Sequence, residues 1–323
     1  MLEHGGQLLK ASQQFGIPIE NWLDLSTGIN PISYPIGLIP TERLNRLPEN
    51  NDRLHEIASR YYQTNNILAV SGSQWAIEHL PLLFDKKRIG VVSPSYFEHQ
   101  QQWEKAGHKI ISITEGRIDE YISKIDILII VNPNNPTGKY YSKSQLTQWQ
   151  NCLQNQGGYL IIDEAFLDCQ PTQSKIEQSA QDNLIILRSI GKFFGLAGIR
   201  IGFVHAPDWI IESLQNLQGE WTIPNTSAWI AEQALADKNW QQKMRQKLPI
   251  MREETIQWIK RLAIDNLQVT ASTELFVYLE TKDAKKIYQT LGQQAILVRQ
   301  FENPSAIRIG LNLVQRSLNI NSL

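Results

Sequence analysis

Residues 126–142 read DILIIVNPNNPTGKYYS. The run from Asp126 to Val131 is nearly continuously apolar and rich in β-branched residues, the pattern of a strand covered on both faces. Asn, Pro and Gly then crowd together, as they do in a rigid turn. Ser142 is a helix-start signal, and SKSQLTQWQNCLQNQ (142–156) follows with helical spacing. YLIID (159–163) is again a buried-strand run. Strand, helix and strand in that order predict two parallel strands joined by a right-handed crossover.

The same alternation extends outward. NILAV (66–70), RIGVVS (88–93), HKIISI (108–113), NLIIL (183–187) and IRIGFV (199–204) read as buried strands. SQWAIEHLPLLF (73–84) and SYFEHQQQWEKAG (95–107) read as helices between them. The expected fold class is α/β: a large domain with a mostly parallel sheet flanked by helices. Ligands of such sheets bind at the carboxyl ends of the strands. Beyond residue 208 the pattern changes. Two helical stretches (209–218 and 226–236) precede NWQQKMRQKLPIMREETIQWIKRL (239–262), a long helix expected to break or bend at Pro249. LQVTAS, LFVYLE, AKKIYQTLG, AILVRQ and AIRIGLN then build a smaller α/β unit. The expected organisation is an N-terminal arm (1–30) packing on both domains, a large domain (31–236) and a small C-terminal domain (237–323).

Bulk properties bound the function. The chain has 323 residues, 42% hydrophobic and 20% charged, with a net charge of −1. No basic stripe stands out, which argues against nucleic acid and acidic membrane as partners. The longest apolar run is too short to span a bilayer, and the N-terminus lacks the apolar core of a signal peptide. Two cysteines, Cys152 and Cys169, do not form a metal or disulfide pattern and suit a reducing cytosol, so a cytoplasmic protein without a metal is expected.

Four motifs fall at strand ends. Ser71-Gly72-Ser73 opens a helix after a strand, where backbone N–H groups cradle anions. Asn134-Asn135-Pro136-Thr137-Gly138 follows the strand quoted above. Asp163 and Glu164 end a buried strand, as a helix cap or a functional pair. RSIGKFFGLAGIRIGF (188–203) keeps Lys192 and Arg200 in an apolar segment. Such a lysine either packs its stem while its head reaches water or serves as a Schiff-base nucleophile.

Taken in order, S-G-S, N-N-P-T-G, D-E-A-F and S-x-x-K-x-x-G-L-A-G-I-R resemble the fold-type I pyridoxal-phosphate enzymes, the aminotransferase-like superfamily, over nearly the whole chain. The resemblance implies pyridoxal 5'-phosphate as cofactor and a homodimer. It implies Lys192 as the Schiff-base lysine and Asp163 as partner of the pyridine nitrogen. Asn135 would bond the ring 3-hydroxyl oxygen and Tyr96 would stack on the ring. Gly72, Ser73, Gln74, Ser189 and Arg200 would hold the cofactor phosphate. Two branches are close, the histidinol-phosphate aminotransferases and the L-threonine-O-3-phosphate decarboxylases of cobalamin synthesis. His4-Gly5-Gly6, WLDLSTGINP (22–31) and Arg46-Leu47-Pro48 resemble the decarboxylases. Leu47 and Phe166 stand where relatives commonly carry tyrosines. The decarboxylase resemblance implies a phosphorylated amino acid as substrate. Arg308 and Asn30 would then hold its carboxylate, and Arg299 and His4 its phosphate, since planar guanidinium suits both anions.

Overall fold

The computed structural model describes residues 4–48, 52–176, 183–262 and 267–311; the two ends of the chain, on which the outer limits of the expected arm and small domain fall, lie outside them. In chain order the strands are β1 (Leu23–Asp24), β2 (Ile67–Val70), β3 (Arg88–Ser93), β4 (Lys109–Thr114), β5 (Ile127–Val131), β6 (Tyr159–Asp163), β7 (Leu184–Ser189) and β8 (Gly202–His205). They continue with β9 (Gln268–Ser272), β10 (Phe276–Glu280), β11 (Ile296–Leu297), β12 (Arg299–Glu302) and β13 (Ser305–Gly310).

Two compact units result, one of residues 33–135 and 139–242, the other of residues up to 32, 136–138 and 243 onward. In the larger unit seven strands form one sheet in the order β2-β8-β7-β6-β5-β3-β4. β4, β3, β5, β6 and β7 are mutually parallel. β8 runs antiparallel to both β7 and β2. β5 and β7 are buried along their whole length, which is why they read as unbroken apolar runs. The helix Lys143–Gln154 starts with a capping box in which the Ser142 side chain accepts from Gln145 N–H.

One polar cluster lies inside this core. Arg188, on β7, donates to both Glu164 and Asp168, and all three are buried. Its guanidinium lies 4.9 Å from the Tyr62 ring centroid. Burial pushes the Glu164 carboxyl above the usual carboxylate range against the pull of Arg188, while the two acids keep Arg188 charged.

The smaller unit holds an antiparallel sheet, β12-β13-β10-β9, and a short parallel pair, β1-β11. Leu25, Trp258, Val277, Leu279, Ile287 and Ile307 share its core. The N-terminal helix Leu8–Phe15 packs here: a Cβ at Gly292 would lie 2.2 Å from the Phe15 ring, so that helix-to-helix approach requires glycine. The expected strand AILVRQ is split between Leu297 and Arg299. Pro249 does not end its helix, which runs unbroken from Lys238 to Arg261. A proline removes one hydrogen bond, and a helix with buried positions on either side, such as Met244, Leu248 and Met251, tolerates that loss.

His205 ends β8, is 3% exposed and donates from Nδ1 to the Asn66 carbonyl at 2.7 Å. Burial lowers its pKa from the ordinary value. Above about pH 6.5 the ring is neutral in both folded and unfolded chains. As pH falls below that value the unfolded chain takes up a proton that the folded ring resists, so stability drops until the folded ring titrates as well. The urea midpoint is therefore expected to fall between pH 7.5 and 5.5, and the fall to shrink in His205→Asn. An identical fall in the variant would show that other groups carry the dependence.

Candidate active site

Sheet topology decides where the polar residues meet. The five parallel strands β3, β4, β5, β6 and β7 end on one edge of the larger sheet. β8, antiparallel to them, begins on that edge with Gly202, and β2 ends there before Gly72. Tyr96, Asn135, Asp163, Ser189, Lys192, Arg200 and the Gly72-Ser73-Gln74 turn all leave the sheet on this side. All of these positions lie in the larger unit, at strand ends on one edge of its sheet.

Backbone contact makes the turn tight. Gly72 has φ +81° and opens the helix Ser73–His79. A Cβ there would lie 2.6 Å from Arg200 Nη2. A Cβ at Gly202 would lie 2.4 Å from Ser73 N, and Gly202 is in register with Ser189 across β7 and β8. Gly72, Ser73, Ser189 and Arg200 therefore converge; only hydrogen fits at Gly202, and at Gly72 a side chain would displace the Arg200 guanidinium. Arg200 has φ 54° and donates from Nη1 to the Ala197 carbonyl at 3.2 Å. Gln74 accepts from Tyr96 Oη at 3.2 Å and donates to Glu98 at 3.1 Å, which ties the aromatic ring to the turn.

Asp163 and Glu164 turn out to have separate duties. Glu164 belongs to the Arg188 cluster. Asp163, 4% exposed, accepts the Ala165 N–H on Oδ1 at 3.0 Å and faces His99 Nε2 from Oδ2 at 3.0 Å. His99 is 1% exposed and was missed from sequence; its signal is its place three residues after Tyr96 on the helix Phe97–Lys105. Asn132 and Asn134 were missed too. Asn132 bonds the Tyr141 backbone in both directions, at 3.1 and 2.9 Å. Asn134 donates to the Pro94 carbonyl at 2.8 Å and accepts from Ser95 Oγ at 2.8 Å. Together they hold the loop before Asn135 and the one before Tyr96. Lys192 sits half-buried on the short helix Ile190–Phe193, with Nζ 5.5 Å from the Phe166 ring centroid.

The four residues expected to hold substrate lie in the smaller unit. Arg299 and Arg308 are directly opposite each other in the antiparallel β12–β13 pair. Arg308 is 6% exposed and donates from Nη2 to the Ser26 carbonyl at 2.8 Å. Asn30 is 1% exposed, its Oδ1 accepting the Ile32 N–H at 2.9 Å. His4 and Arg299 line one cavity of about 50 Å³; Asn30 and Arg308 stand outside its lining. The glycines beside His4 are forced. A Cβ at Gly5 would lie 2.3 Å from the Ser26 carbonyl oxygen, and Gly6 has φ +80° and donates to Ser26 Oγ at 2.7 Å.

The larger unit's donors fit pyridoxal phosphate. The cradle offers backbone N–H, hydroxyl and guanidinium groups to a phosphate. Asp163 is a buried carboxylate suited to a protonated ring nitrogen, and Lys192 a lysine amine suited to an aldehyde.

Comparison with known proteins agrees with this geometry. Residues 44–319 match the family model for aminotransferase class I and II. The chain is 39% identical over 311 residues to threonine-phosphate decarboxylase of Pseudomonas aeruginosa, covering 96% of this chain and 93% of the relative. It is 33% identical over 315 residues to threonine-phosphate decarboxylase of a Sinorhizobium species, covering 95% and 92%. The crystal structure of the histidinol-phosphate aminotransferase from Clostridium acetobutylicum superposes with a TM-score of 0.80 over 90% of this chain and 94% of that one, at 24% identity, and shares the fold.

His99→Ala removes the partner of Asp163 Oδ2 and leaves a buried carboxylate short of a hydrogen bond. Such a loss costs about 1–3 kcal/mol. Pyridoxal phosphate, titrated by absorbance, is expected to bind roughly ten- to hundred-fold more weakly with unchanged far-UV circular dichroism. Unchanged affinity would mean that Asp163 needs no such support.

Proposed function

The chain belongs to the aminotransferase class I and II family, and on that premise we propose that it is a pyridoxal-phosphate-dependent decarboxylase. Its substrate in this reading is L-threonine O-3-phosphate, its products (R)-1-aminopropan-2-yl phosphate and carbon dioxide, and its place cobalamin biosynthesis. The observation that carries the reading is the Arg299–Arg308 pair. Like charges directly opposite on adjacent strands are destabilising. Two guanidinium groups on one sheet face are suited to a ligand with two anionic groups, and the substrate has two, an α-carboxylate and a phosphate.

Pyridoxal phosphate, when bound, supplies an electron sink for the pair left on Cα when a bond there breaks. The protein's own residues do the rest. Lys192 supplies the amine that holds the cofactor aldehyde and afterwards moves a proton at Cα. Asp163 keeps the proton on the ring nitrogen, with His99 fixing the carboxylate. Gly72, Ser73, Gln74, Ser189 and Arg200 hold the cofactor phosphate, Asn135 the ring oxygen, and Tyr96 the ring face. Arg308 and Asn30 hold the substrate carboxylate, and Arg299 and His4 its phosphate. The orientation they impose decides which Cα bond lies in line for cleavage. Phe166, which has no hydroxyl, packs beside the Lys192 amine instead of donating to the cofactor.

This reading includes a homodimer in the cytosol. Leu38, Leu44, Leu47 and Trp221 of the larger unit are large apolar residues left exposed, Leu38 by 98%, as residues that a second copy covers would be. A monomer mass in sedimentation equilibrium would remove the dimer.

The deciding experiment mixes cofactor-loaded protein with L-threonine O-3-phosphate and no keto acid, and measures carbon dioxide. Sustained release over many turnovers is expected, because a transaminase stalls after one half-reaction without an acceptor. No release, together with amino transfer from histidinol phosphate to 2-oxoglutarate, would make the protein an aminotransferase instead. Arg308→Lys keeps the charge and loses the planar fork. A charge-assisted hydrogen bond is worth about 1.5–3 kcal/mol, so kcat/KM is expected to fall roughly ten- to hundred-fold.

A further inference from the structure

A side-chain amide has an oxygen that accepts and a nitrogen that donates two protons. In the larger unit the Gln74 amide uses both ends. Its Nε2 donates to Glu98 Oε2 at 3.1 Å and to Glu78 Oε1 at 3.0 Å, and its Oε1 accepts from the Tyr96 hydroxyl at 3.2 Å. An ionised carboxylate accepts and never donates. Two carboxylates on the nitrogen side therefore leave one sense for the amide, with its oxygen toward Tyr96. Turned over, it would set a carbonyl oxygen against both acids and lose two bonds.

The two acids are not equivalent. Glu78 is exposed and lies one turn along Gln74's own helix. Glu98 is 8% exposed and belongs to another helix, Phe97–Lys105, whose first turn it occupies. An acid in that turn is favoured by the macrodipole, and Glu98 Oε2 also accepts from Gln102 Nε2 at 3.2 Å. The carboxylate is thus fixed from its own helix before it meets Gln74, and a buried charge-assisted bond outweighs an exposed one. Tyr96 is the N-cap residue of the same helix, and His99, which faces Asp163, follows Glu98. Both protons of Gln74 Nε2 are taken within this network, so the side chain has none left over for a phosphate.

We propose that the Gln74 side chain is a positioning residue for the Tyr96 ring, with its amide direction set by Glu98, and that Gln74 serves the cofactor phosphate through its backbone alone. The proposal rests on the reading above in which Tyr96 stacks on the cofactor ring. A stacked pair depends on the tilt and offset of its rings. A tyrosine held at the backbone and again at its hydroxyl keeps one tilt.

The test compares wild type, Gln74→Met, Glu98→Gln and Glu104→Gln as cofactor-loaded proteins, each also in a Tyr96→Phe background. Glu104 is an exposed acid of the same helix, so its variant carries the charge change without the contact. Three readouts are taken. They are the Kd of pyridoxal phosphate by absorbance, the visible circular dichroism of the bound cofactor, which reports how its ring is held, and the phosphorus NMR shift of its phosphate. In Gln74→Met the visible dichroism is expected to weaken and Kd to rise roughly three- to tenfold, with the phosphorus shift kept. Glu98→Gln lets the amide face either way and is expected to move the dichroism in the same direction by less. Glu104→Gln is expected to change none of the three. In the Tyr96→Phe background Gln74→Met is expected to add nothing, the mark of a coupled pair. A moved phosphorus shift with the dichroism kept would make the Gln74 side chain a phosphate ligand and overturn the proposal, as would an equal loss of dichroism in the Tyr96→Phe background. Tyr96→Ala separates the two levels. If it leaves the dichroism as in wild type, Tyr96 does not stack on the ring, and the proposal falls with that reading. If it alters the dichroism while Gln74→Met does not, the stacking reading stands and the positioning role alone fails.

Discussion

A carboxylate that is 4% exposed, at the end of an otherwise apolar strand, constrains the larger unit more than any other group. Burying an ionised acid without partners is costly enough that the group would rather take up a proton. Asp163 meets the Ala165 N–H, His99 and, in the proposed function, a protonated ring nitrogen. Each partner brings its own requirement. His99 must project from a helix that starts at the end of β3, and that start depends on the loop fixed by Asn134. The neighbouring acid solves the same difficulty apart from the site: Glu164 is matched by Arg188, whose other partner is Asp168. Two adjacent carboxylates thus serve two separate purposes, one chemical and one structural, because successive positions at a strand end point to opposite sides.

Close backbone approach is the second constraint, and it accounts for the glycines in the motifs. At Gly72 and Gly202 a side chain would strike the phosphate-type cradle itself. At Gly310 a Cβ would lie 2.3 Å from the Thr27 carbonyl, which presses the Ser26–Thr27 segment against β13. That contact and the Arg308 hydrogen bond to Ser26 hold the same two residues. The Ser26 hydroxyl in turn fixes Gly6. The two N-terminal stretches that resemble the decarboxylases, His4-Gly5-Gly6 and Thr27-Gly28-Ile29-Asn30-Pro31, are thereby parts of one framework in the smaller unit. Their spacing in sequence reflects a shared attachment to Ser26 and Arg308.

The parallel core was legible because strands buried on both faces leave a one-dimensional trace, an unbroken apolar run between turn residues. Lys192, Asp163 and Arg200 were legible for a related reason: a charge inside such a run is conspicuous. Residues whose meaning lies in a distant partner were hidden. His99 looks like any helix histidine until Asp163, 64 positions later, is placed beside it. The opposition of Arg299 and Arg308 depends on hairpin register, which no single strand reveals. The antiparallel direction of β8 is equally invisible in IRIGFV, since both orientations bury the same side chains. Pro249 misleads in the other direction. Its local penalty is real, and packing on both sides of it outweighs that penalty.

The arginine pair also bears on how one fold can run two reactions. In the proposed function, two anion contacts on a single sheet face would define a line through the substrate, from carboxylate to phosphate. A group held at both ends keeps little freedom except rotation about that line. Which bond on Cα stands in line for cleavage is set by that rotation, and the electron sink is indifferent to the choice. An aminotransferase must release its first product and accept a 2-oxo acid at the same place, so a strong clamp on both anions of one substrate works against it. A decarboxylase needs no amino acceptor, and its carboxylate leaves as carbon dioxide. A phosphate held by Arg299 and His4, as in the proposed function, therefore suits a reaction in which the phosphate stays anchored while the other end of the molecule changes. In the proposed function the reaction is selected by how firmly the non-reacting end is held, and the residues that would hold it, His4 and Arg299, lie on the N-terminal arm and on β12.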